Sequence, residues 1–482
     1  MNSPKGPPTA SLPLVLDLDG TVLKTDLFLE TLVLAVKRRP LVIFQCLWWL
    51  IQGRAVLKRA LAERTQLRVD LLPLNQALVA FAAERHAAGH PVYIASAADA
   101  DLAGQAAARL GFVTDVLASD GRRNLKGSAK AAALAERFPD GFLYAGDSAA
   151  DVPVWRASAG AVFAGRSRRV AAAAAKAAPL AASLPQEPAD LRCWLRALRI
   201  HQWAKNVLVF VPLFLSGQGA DPQAWLRAGA AFLAMGLVSS STYLINDAVD
   251  LADDRTHPTK KRRPLASGAL PLKDALAAAP LGIAAGLALA AVAAGPAGFA
   301  CLCLYLGCTL LYSFGLKRIA MVDVMIIGGL FTVRLLLGAV AVAAPLRPWL
   351  FVFAMFLFTA LALAKRSAEI VRLGPGGGRV GGRGYFAADG PTVTAFGVSS
   401  SVAAVLVLVL YILDEAFKQS FYGLPQMLWA APIALTLWLG RIWLLCGRGE
   451  MDDDPVAFAV GDPASLGLAA GVVAAAALAV VL

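Results

Sequence analysis

Carboxylates and phosphate-binding cations follow one another in NDAVDLADDRTHPTKKRR, residues 246–263. As a helix, this stretch places Asn246, Asp250 and Asp254 on one face at i, i+4 and i+8, with Asp247 beside them. Carboxylates on one face repel one another unless a cation lies between them, and Mg²⁺ prefers such hard oxygen ligands. We therefore expect Mg²⁺ and the neighbouring bases to hold a pyrophosphate group together. The alternative, a charged loop at a membrane face, explains the bases but not the aligned acids. The bases are Arg255, Lys260, Lys261, Arg262 and Arg263.

A second pair of carboxylates, Asp17 and Asp19, ends an apolar predicted strand in PLVLDLDGTVL. Two acids at one strand end suit phosphoryl transfer, because one can attack phosphorus while the other handles the leaving-group proton, with Mg²⁺ offsetting their repulsion. The remaining candidates lie at the ends of two further predicted strands, in HPVYIASAADADL and GFLYAGDSAADVPVW, and in NLKGSAKAAAL between them. They are Ser96, Lys126, Lys130, Asp147 and Asp151.

The composition is that of a membrane protein with room for two or three domains in its 482 residues. Hydrophobic residues make up 58% and charged residues 16% of the chain, with a mean hydropathy of +0.62, whereas a soluble protein carries about a quarter charged residues. The net charge of +12 suits the cytoplasmic membrane face and phosphate-bearing ligands, and no interleaved aromatic and basic stretch indicates nucleic-acid binding. We read the six cysteines as buried apolar residues.

Two regions separate along the chain. Residues 1–165 mix charged and apolar residues as a soluble domain does, and their N-terminus has no pattern of a cleaved secretory signal. The Ala-rich residues 166–190 are read as a linker or a loosely held helix. Residues 190–203 have the pattern of a helix at the membrane interface, and they open a region, 190–482, in which apolar segments recur with short polar breaks.

Nine membrane crossings are predicted in this second region. Their spans are roughly 206–217, 224–245, 274–294, 297–315, 321–343, 348–365, 394–414, 425–445 and 465–482. Lysines and arginines concentrate in the loops after the even-numbered crossings, while the opposite loops hold only Arg347 and Lys418. By the positive-inside rule, the N-terminal domain is cytoplasmic and the C-terminus lies on the opposite side of a bacterial-type inner membrane.

The strand-end motifs of the first region, in this order, resemble those of the haloacid dehalogenase-like phosphatases. The resemblance implies a Rossmann-like α/β domain with a small helical cap at about residues 24–90. It makes Asp17 the nucleophile and Asp19 the general acid/base, with Ser96 binding the phosphoryl group. Lys130, favoured over Lys126, balances the charge. The Mg²⁺ ligands would be Asp17, Asp19, Asp147 and Asp151.

One segment of the cap, PLVIFQCLWWLI at residues 40–51, is continuously apolar but too short to span a bilayer. It is either the buried core of the cap or a helix that leans into the lipid headgroups to reach a lipid-linked substrate.

The second region resembles the UbiA superfamily of intramembrane transferases, through NDxxDxxxDR after the second crossing and through the nine crossings. The resemblance implies an all-α membrane domain in which Asp247, Asp250 and Asp254 hold Mg²⁺ and a diphosphate donor, with Asp247 and Asp250 catalytic. The motifs LRIHQWAKNVLVF, YSFGLKRIAMVDV and FTVRLLLGAV resemble the decaprenyl-phosphate phosphoribosyltransferases of this superfamily. The substrate-binding residues so implied, besides Asn246, Lys260 and Arg263, are Gln202, Lys205, Asn206, Tyr312, Lys317, Asp323 and Arg334.

A basic loop after the sixth crossing takes the place of a second Asp-rich motif that aromatic prenyltransferases of the superfamily carry. It contributes Lys365, Arg366, Arg383 and Tyr385. Cations there suit a donor with a further phosphate, such as phosphoribosyl pyrophosphate (PRPP), and a polyprenyl phosphate acceptor. The resemblance therefore implies phosphoribosyl transfer for cell-wall glycan synthesis, with the phosphatase-like domain removing the product's 5-phosphate. Prenyl transfer to an aromatic or other small acceptor is one alternative, and a non-enzymatic scaffold or transporter is another.

Overall fold

The computed structural model describes residues 12–121, 124–374, 378–381, 383–418, 422–451 and 455–481. Residues 1–11, for which no secretory signal is expected, and Leu482, which ends the last predicted crossing, lie outside this part of the chain. The chain divides into two compact units. One consists of Met1–Arg199 with Tyr243–Pro280, and the other of Ile200–Thr242 with Leu281–Leu482.

The first unit is built on a parallel sheet of six strands, of which the first along the chain lies between the second and the fourth, with the third at one edge and the fifth and sixth toward the other. The strands are short, and the four inner ones are largely buried and apolar, because helices cover both faces of a parallel sheet. In chain order the strands are β1 (Leu14–Leu16), β2 (Val92–Asp99), β3 (Asp115–Ser119), β4 (Leu143–Gly146), β5 (Gly160–Phe163) and β6 (Leu180–Ser183). The crossover helices are α5 (Ala100–Leu110), α6 (Ser128–Arg137), α7 (Val152–Ala157) and α8 (Arg168–Ala177). The predicted α/β class of this domain is confirmed.

The sheet extends beyond the predicted domain limit at residue 165. Residues 166–190, expected to be a linker or loose helix, contain α8 and then β6, which pairs with β5. Alanine favours helix, and Pro179 lies directly beyond the last turn of α8, where a helix cannot continue. The Gln186 side chain then donates to the carbonyls of Gly20 and Ala164, both at 2.7 Å. This segment is therefore part of the α/β layers.

Four helices occupy the region between β1 and β2, as the cap prediction requires. They are α1 (Leu27–Arg38), α2 (Val42–Gln52), α3 (Arg54–Arg64) and α4 (Gln76–Ala87). The apolar segment 40–51 forms α2, of which only Val42 and Cys46 are buried. The prediction that this segment is buried cap core is therefore wrong for most of its side chains.

The first unit also contains the residues of the acidic motif. They lie on the last residues of α11 (Pro222–Val249), on α12 (Leu251–Thr256) and in a 3₁₀ turn at Lys260–Arg262. The short helix α9 (Leu191–Ala197) starts with Asp190, whose side chain accepts from the Cys193 N–H at 2.7 Å. An apolar core joins α9 and α1 to the end of α11 and to the start of α13 (Leu272–Phe314). Its members include Leu29, Val33, Ala197, Leu244, Ala248, Leu272 and Ala275.

The second unit is helical. It contains a 3₁₀ helix (Ile200–Phe210), α10 (Val211–Leu215), most of α11 and α13 (Leu272–Phe314), and then α14 (Val322–Ala341), α15 (Pro348–Leu373), α16 (Gly390–Asp414), α17 (Ala430–Arg448), α18 (Pro455–Gly461) and α19 (Pro463–Val481). Small residues allow the helices to pack closely. For example, a Cβ on Gly328 of α14 would lie 2.6 Å from the Thr359 hydroxyl of α15.

Seven helices in the described part of the chain are long and apolar enough to cross a membrane. The 43-residue α13 is interrupted at Ala294 and Gly295, which have non-helical dihedral angles, so that it contains both predicted crossings 274–294 and 297–315. The predicted first crossing, 206–217, falls on the shorter apolar segment Ile200–Leu215. A helical membrane domain is thus established, whereas the number nine stays a prediction.

Candidate functional site

Three carboxylates meet at the carboxyl edge of the sheet in the first unit. Asp17 follows β1, Asp147 follows β4, and Asp151 stands one turn further on at the start of α7. One carboxylate oxygen from each lies within 4.8 Å of the others, which is close enough for one metal ion. The ends of parallel strands meet at one edge of a sheet, which explains why sequence alone predicts this meeting. The arrangement fits Mg²⁺, since three hard oxygen donors converge on one point.

A buried lysine balances these acids. Lys130 Nζ lies 2.7 Å from Asp17 Oδ1 and 2.9 Å from the Tyr144 hydroxyl, and that hydroxyl donates to Asp151 Oδ1 at 2.9 Å. Lys126, the other predicted candidate, is exposed. Sequence reasoning missed Tyr144, which stands in β4 three residues before Asp147, because a tyrosine within an apolar strand resembles a core residue, and Tyr144 does pack in an apolar core.

The electrostatics of this edge favour a bound cation. Burial, together with the charge of Asp151, raises the pKa of Asp17 to about 6 in spite of Lys130. Burial and the charges of Asp17 and Asp151 raise the pKa of Asp147 to about 7. Burial alone would lower the pKa of Lys130, but the carboxylates of Asp17 and Asp151 reverse this and raise it. A divalent ion would therefore offset the repulsion between these acids.

Asp19 and Ser96 lie beside the three acids without joining them. Asp19 is not part of the metal-spaced carboxylate group found among the described residues; its Oδ1 accepts from the Leu27 N–H at 2.8 Å. Burial and the neighbouring Asp26 raise the pKa of Asp19 well above its ordinary value, which suits a proton donor. Ser96 is fully buried, and its hydroxyl accepts from the Ala98 N–H at 3.0 Å.

The backbone conformation and the close packing after Asp19 both require a glycine at position 20. Gly20 has a φ of 77°, which side-chain-bearing residues rarely adopt. A Cβ at this position would lie 2.6 Å from Asp147 Oδ2. The turn after Asp19 therefore brings backbone directly against a carboxylate of the cluster.

The acidic motif after α11 also forms a cluster, but not on one continuous helix as predicted. Asp250 has φ −95° and ψ 9° and separates α11 from α12. Asp247 and Asp254 nevertheless face each other across Arg263, whose Nη1 lies 3.0 Å from Asp247 Oδ1 and 2.7 Å from Asp254 Oδ2. Both acids are buried. Asp250 instead lies 3.7 Å from Lys37 Nζ.

A second arginine, Arg199, completes this cluster. Its guanidinium forms an ion pair with Asp247 and lies over the Tyr243 ring, 4.7 Å from the centroid. Its backbone φ is 51°, unusual for a residue other than glycine. Sequence reasoning missed Arg199 because it stands 48 residues before its partner and resembles the other arginines of an interfacial helix.

These acids are thus balanced by guanidinium groups. The described residues place no third carboxylate near enough to Asp247 and Asp254 for a metal-spaced group there. Asn246 is half-buried, and Lys260, Lys261 and Arg262 are exposed. For Mg²⁺ to bind the motif, Arg199 and Arg263 would have to release the carboxylates.

In the second unit, Asp323 lies at the centre of a buried network. Arg366 Nε lies 2.9 Å from Asp323 Oδ2, and the Tyr385 hydroxyl donates to Asp323 Oδ1 at 2.6 Å. Arg366 also pairs with Glu369 at 2.5 Å, and the Met321 N–H donates to Tyr385 at 2.9 Å. The structure brings three predicted residues together here. The charge of Arg366 is already balanced within the protein.

A second network surrounds Arg334. Its Nε donates to Asn206 Oδ1 at 2.9 Å and its Nη2 to the Tyr305 hydroxyl at 3.1 Å. Asn206 is 1% exposed, and within the described residues its Nδ2 has no acceptor. Tyr305 is a further residue that sequence reasoning missed, since a tyrosine in an apolar helix resembles a packing residue.

The other predicted residues of this unit are spread over several helices and loops. Arg383 donates to the Tyr312 hydroxyl, and Lys205 Nζ lies 6.0 Å from the centroid of the Phe331 ring. Gln202 is half-buried on the 3₁₀ helix before α10. Lys317 is in the 3₁₀ turn after α13, and Lys365 is in α15.

Known proteins resemble the chain over most of its length. The profile of the UbiA prenyltransferase family matches residues 207–462. An uncharacterized protein of Sinorhizobium fredii is 39% identical over 457 residues, covering 94% of this chain and 88% of that protein. Nodulation protein NoeC of Azorhizobium caulinodans is 32% identical over 291 residues, covering 58% of this chain and 92% of that protein. The decaprenyl-phosphate phosphoribosyltransferase of Corynebacterium glutamicum is 35% identical over 180 residues, 37% of this chain and 54% of that enzyme.

The candidate membrane spans, together with the family profile that matches residues 207–462, define the chain as a membrane transferase. The chain belongs to the UbiA prenyltransferase family. The resemblance of its second region to that family is thereby confirmed. The likeness of the N-terminal domain to haloacid dehalogenase-like phosphatases stays a prediction. The structure shows only that this domain contains a parallel α/β sheet.

Proposed function

We propose that the chain transfers a phosphoribosyl group from PRPP to a polyprenyl phosphate at the cytoplasmic face of a bacterial inner membrane. Similarity to decaprenyl-phosphate phosphoribosyltransferase supports this choice of substrates. The single observation that carries the proposal is the bridge from Arg263 to Asp247 and Asp254. It supports the proposal because a guanidinium able to bind phosphate lies in one hydrogen-bonded cluster with two carboxylates able to bind a metal ion.

The reaction exchanges one bond at ribose C1 for another. The bond from C1 to the pyrophosphate oxygen breaks, and an ionised oxygen of the lipid phosphate forms the new bond, so no general base is needed. Mg²⁺, held by Asp247, Asp250 and Asp254, would neutralise charge on the leaving pyrophosphate. Arg199 and Arg263, released from these acids, bind phosphate oxygens. Asn206 Nδ2, which has no acceptor within the described part of the chain, would donate to a substrate oxygen, and Arg383 with Tyr312 would offer a cation and a hydroxyl.

A radiolabelled-donor assay in membranes tests this proposal. Membranes containing the protein receive PRPP or an isoprenyl diphosphate, together with a polyprenyl phosphate, a small aromatic acceptor and Mg²⁺. Label from PRPP should enter the lipid phase. Label transfer only from the isoprenyl diphosphate, to an aromatic or other small acceptor, would overturn the choice of PRPP. The prenyltransferase alternative keeps support from the family's description and from the acids Asp323 and Glu369 beside Arg366.

A second activity is favoured by the carboxylate cluster with Lys130. The N-terminal domain would remove the 5-phosphate of the lipid-linked product: Asp17 attacks phosphorus, Asp19 protonates the leaving ribose oxygen, and water then releases inorganic phosphate. Fusion in one chain gives a high effective concentration of the substrate. Mg²⁺ on Asp17, Asp147 and Asp151 would reduce charge repulsion at the phosphate.

Inorganic phosphate release tests the second activity separately from transfer. Protein given PRPP, polyprenyl phosphate and Mg²⁺ should release inorganic phosphate. Asp17→Asn should stop that release and leave lipid labelling intact, whereas Lys126→Met, at the exposed lysine, should affect neither. Unchanged phosphate release by Asp17→Asn would show that this domain is not the phosphatase.

A further inference from the structure

The helix α2 has an apolar surface that the described part of the protein leaves exposed. Ile51 is 80% exposed, Leu41 74%, Phe44 67% and Trp48 62%. A contiguous apolar surface of this kind marks an interaction site in a stable protein. The α2 surface consists of Leu41, Ile43, Phe44, Leu47, Trp48, Leu50 and Ile51.

The opposite side of α2 is firmly packed. Val42 and Cys46 are buried against Ala35 of α1 and against Leu57 and Leu61 of α3. The Arg64 guanidinium covers the Trp49 ring, 4.7 Å from its centroid. The helix is therefore held in place while the α2 surface points away from the cap.

The neighbouring elements indicate a membrane as the occupant. Leu29 and Val33 of α1, the helix directly before α2, pack in one core with Leu244 of α11 and Leu272 of α13, near the ends of two helices with membrane-spanning character. Since α1 has 12 residues, α2 begins within about 20 Å of those helix ends. Because membrane-spanning helices end near the lipid headgroups, this position brings α2 within reach of the membrane interface.

The basic residues on either side of α2 are consistent with a position at the membrane interface. Arg38 and Arg39 precede the α2 surface and Arg54 follows it, and all three are exposed. Basic residues flanking an apolar helix bind anionic lipid headgroups, and a helix too short to span lies in the interface plane. We propose that α2 is an interfacial membrane helix, which inserts the α2 surface into the headgroup–acyl boundary and binds anionic lipid through Arg38, Arg39 and Arg54. This proposal does not depend on the substrates of either activity.

Depth-dependent quenching in the full-length protein tests the proposal. An environment-sensitive fluorescent amino acid is encoded at Trp48 or, as control, at Asp140. Asp140 is exposed and precedes β4, at the sheet edge opposite Asp17. Each protein is reconstituted as a single copy in phosphatidylglycerol nanodiscs with nitroxide-labelled lipids. Quenching at position 48 should exceed that at position 140 severalfold. The triple change Phe44→Ser, Leu47→Ser and Ile51→Ser should reduce it.

Two results would overturn the proposal. Equal quenching at positions 48 and 140 would show that α2 does not reach lipid, and a blue shift at position 48 that needs two copies per disc would identify a second chain as the occupant. A further set of variants tests whether α2 requires anionic lipid. Arg38→Gln, Arg39→Gln and Arg54→Gln together should weaken quenching in phosphatidylglycerol discs but not in phosphatidylcholine discs, and an equal effect in both would contradict the role of anionic lipid.

Discussion

Arg255 forms a two-point ion pair with Glu30, with Nη2–Oε1 and Nη1–Oε2 distances of 2.6 and 3.1 Å. Both side chains are almost fully buried. Glu30 also accepts from the Thr25 hydroxyl at 2.7 Å, five residues after the Gly20 turn of the carboxylate cluster. Arg255 directly follows Asp254 of the acidic motif. The ion pair therefore fixes the two candidate sites of the first unit to each other.

Breaking this ion pair should destabilise the first unit. Glu30→Ala leaves the Arg255 charge buried without its partner, a change that costs about 3–5 kcal/mol. We expect a lower melting temperature of the detergent-solubilised protein. Glu30→Met with Arg255→Met should recover much of the loss, because no buried charge remains. Asp70→Asn is the control: it breaks the exposed pair with Arg68 and should change the melting temperature little. A Glu30→Ala melting curve like that of Asp70→Asn would contradict this account.

Replacing Asp247 and Asp250 of the acidic motif should abolish transfer, and replacing the neighbouring Asp253 should not. Asp247→Ala with Asp250→Ala removes two proposed donors to Mg²⁺, so we expect at least a hundredfold loss of lipid labelling, comparable to about 2.7 kcal/mol of lost transition-state stabilisation. Asp253→Ala is matched in type and position, but its side chain is 74% exposed and pairs with Lys37. Its activity should stay near that of the unchanged protein. Equal activity in both variants would exclude the acidic motif from catalysis.

The carboxylate cluster should make Mg²⁺ binding depend on pH. Asp17 and Asp147 have pKa values of about 6 and about 7 in the fold, against an ordinary value of 3.8. Since these values are raised, the metal-free protein loses stability as pH rises from about 4 through 7 and the acids ionise. Mg²⁺ binds the ionised forms, so its affinity should increase over the same range.

The Mg²⁺-induced rise in melting temperature measures this effect. It should be larger at about pH 7.5 than at about pH 5.5. Asp147→Asn should remove most of the difference, whereas Asp115→Asn, at an exposed position, should keep it. A Mg²⁺ effect of the same size at both pH values would show that these carboxylates do not bind the ion.

Sequence could predict the strand-end cluster but not the contacts of the acidic motif. Asp17 and Asp147 each end an apolar strand, and a parallel sheet brings such ends together whatever the loops between them do. Glu30, by contrast, lies 225 residues from Arg255, and no spacing rule connects them. Sequence could not show the helix break at Asp250, because the spacing of the acids fits a continuous helix. The break is local, since the Asp254 N–H still donates to the Asp250 carbonyl across it. The exposure of α2 depends on what surrounds it, which an apolar run does not show.

The Asp323 network should be sensitive to the shape of its arginine as well as to its charge. Asp323 is fully buried and accepts from Arg366 and Tyr385 at the same time. Arg366→Lys keeps a cation but cannot supply the planar fork that reaches both Asp323 and Glu369. We expect this variant to lose protein stability, by about 1–3 kcal/mol for an unmade buried hydrogen bond. Tyr385→Phe, which removes one donor, should lose less. Thermal unfolding of both variants in detergent checks the order, and a Tyr385→Phe protein less stable than Arg366→Lys would show that the hydroxyl, not the guanidinium, holds Asp323.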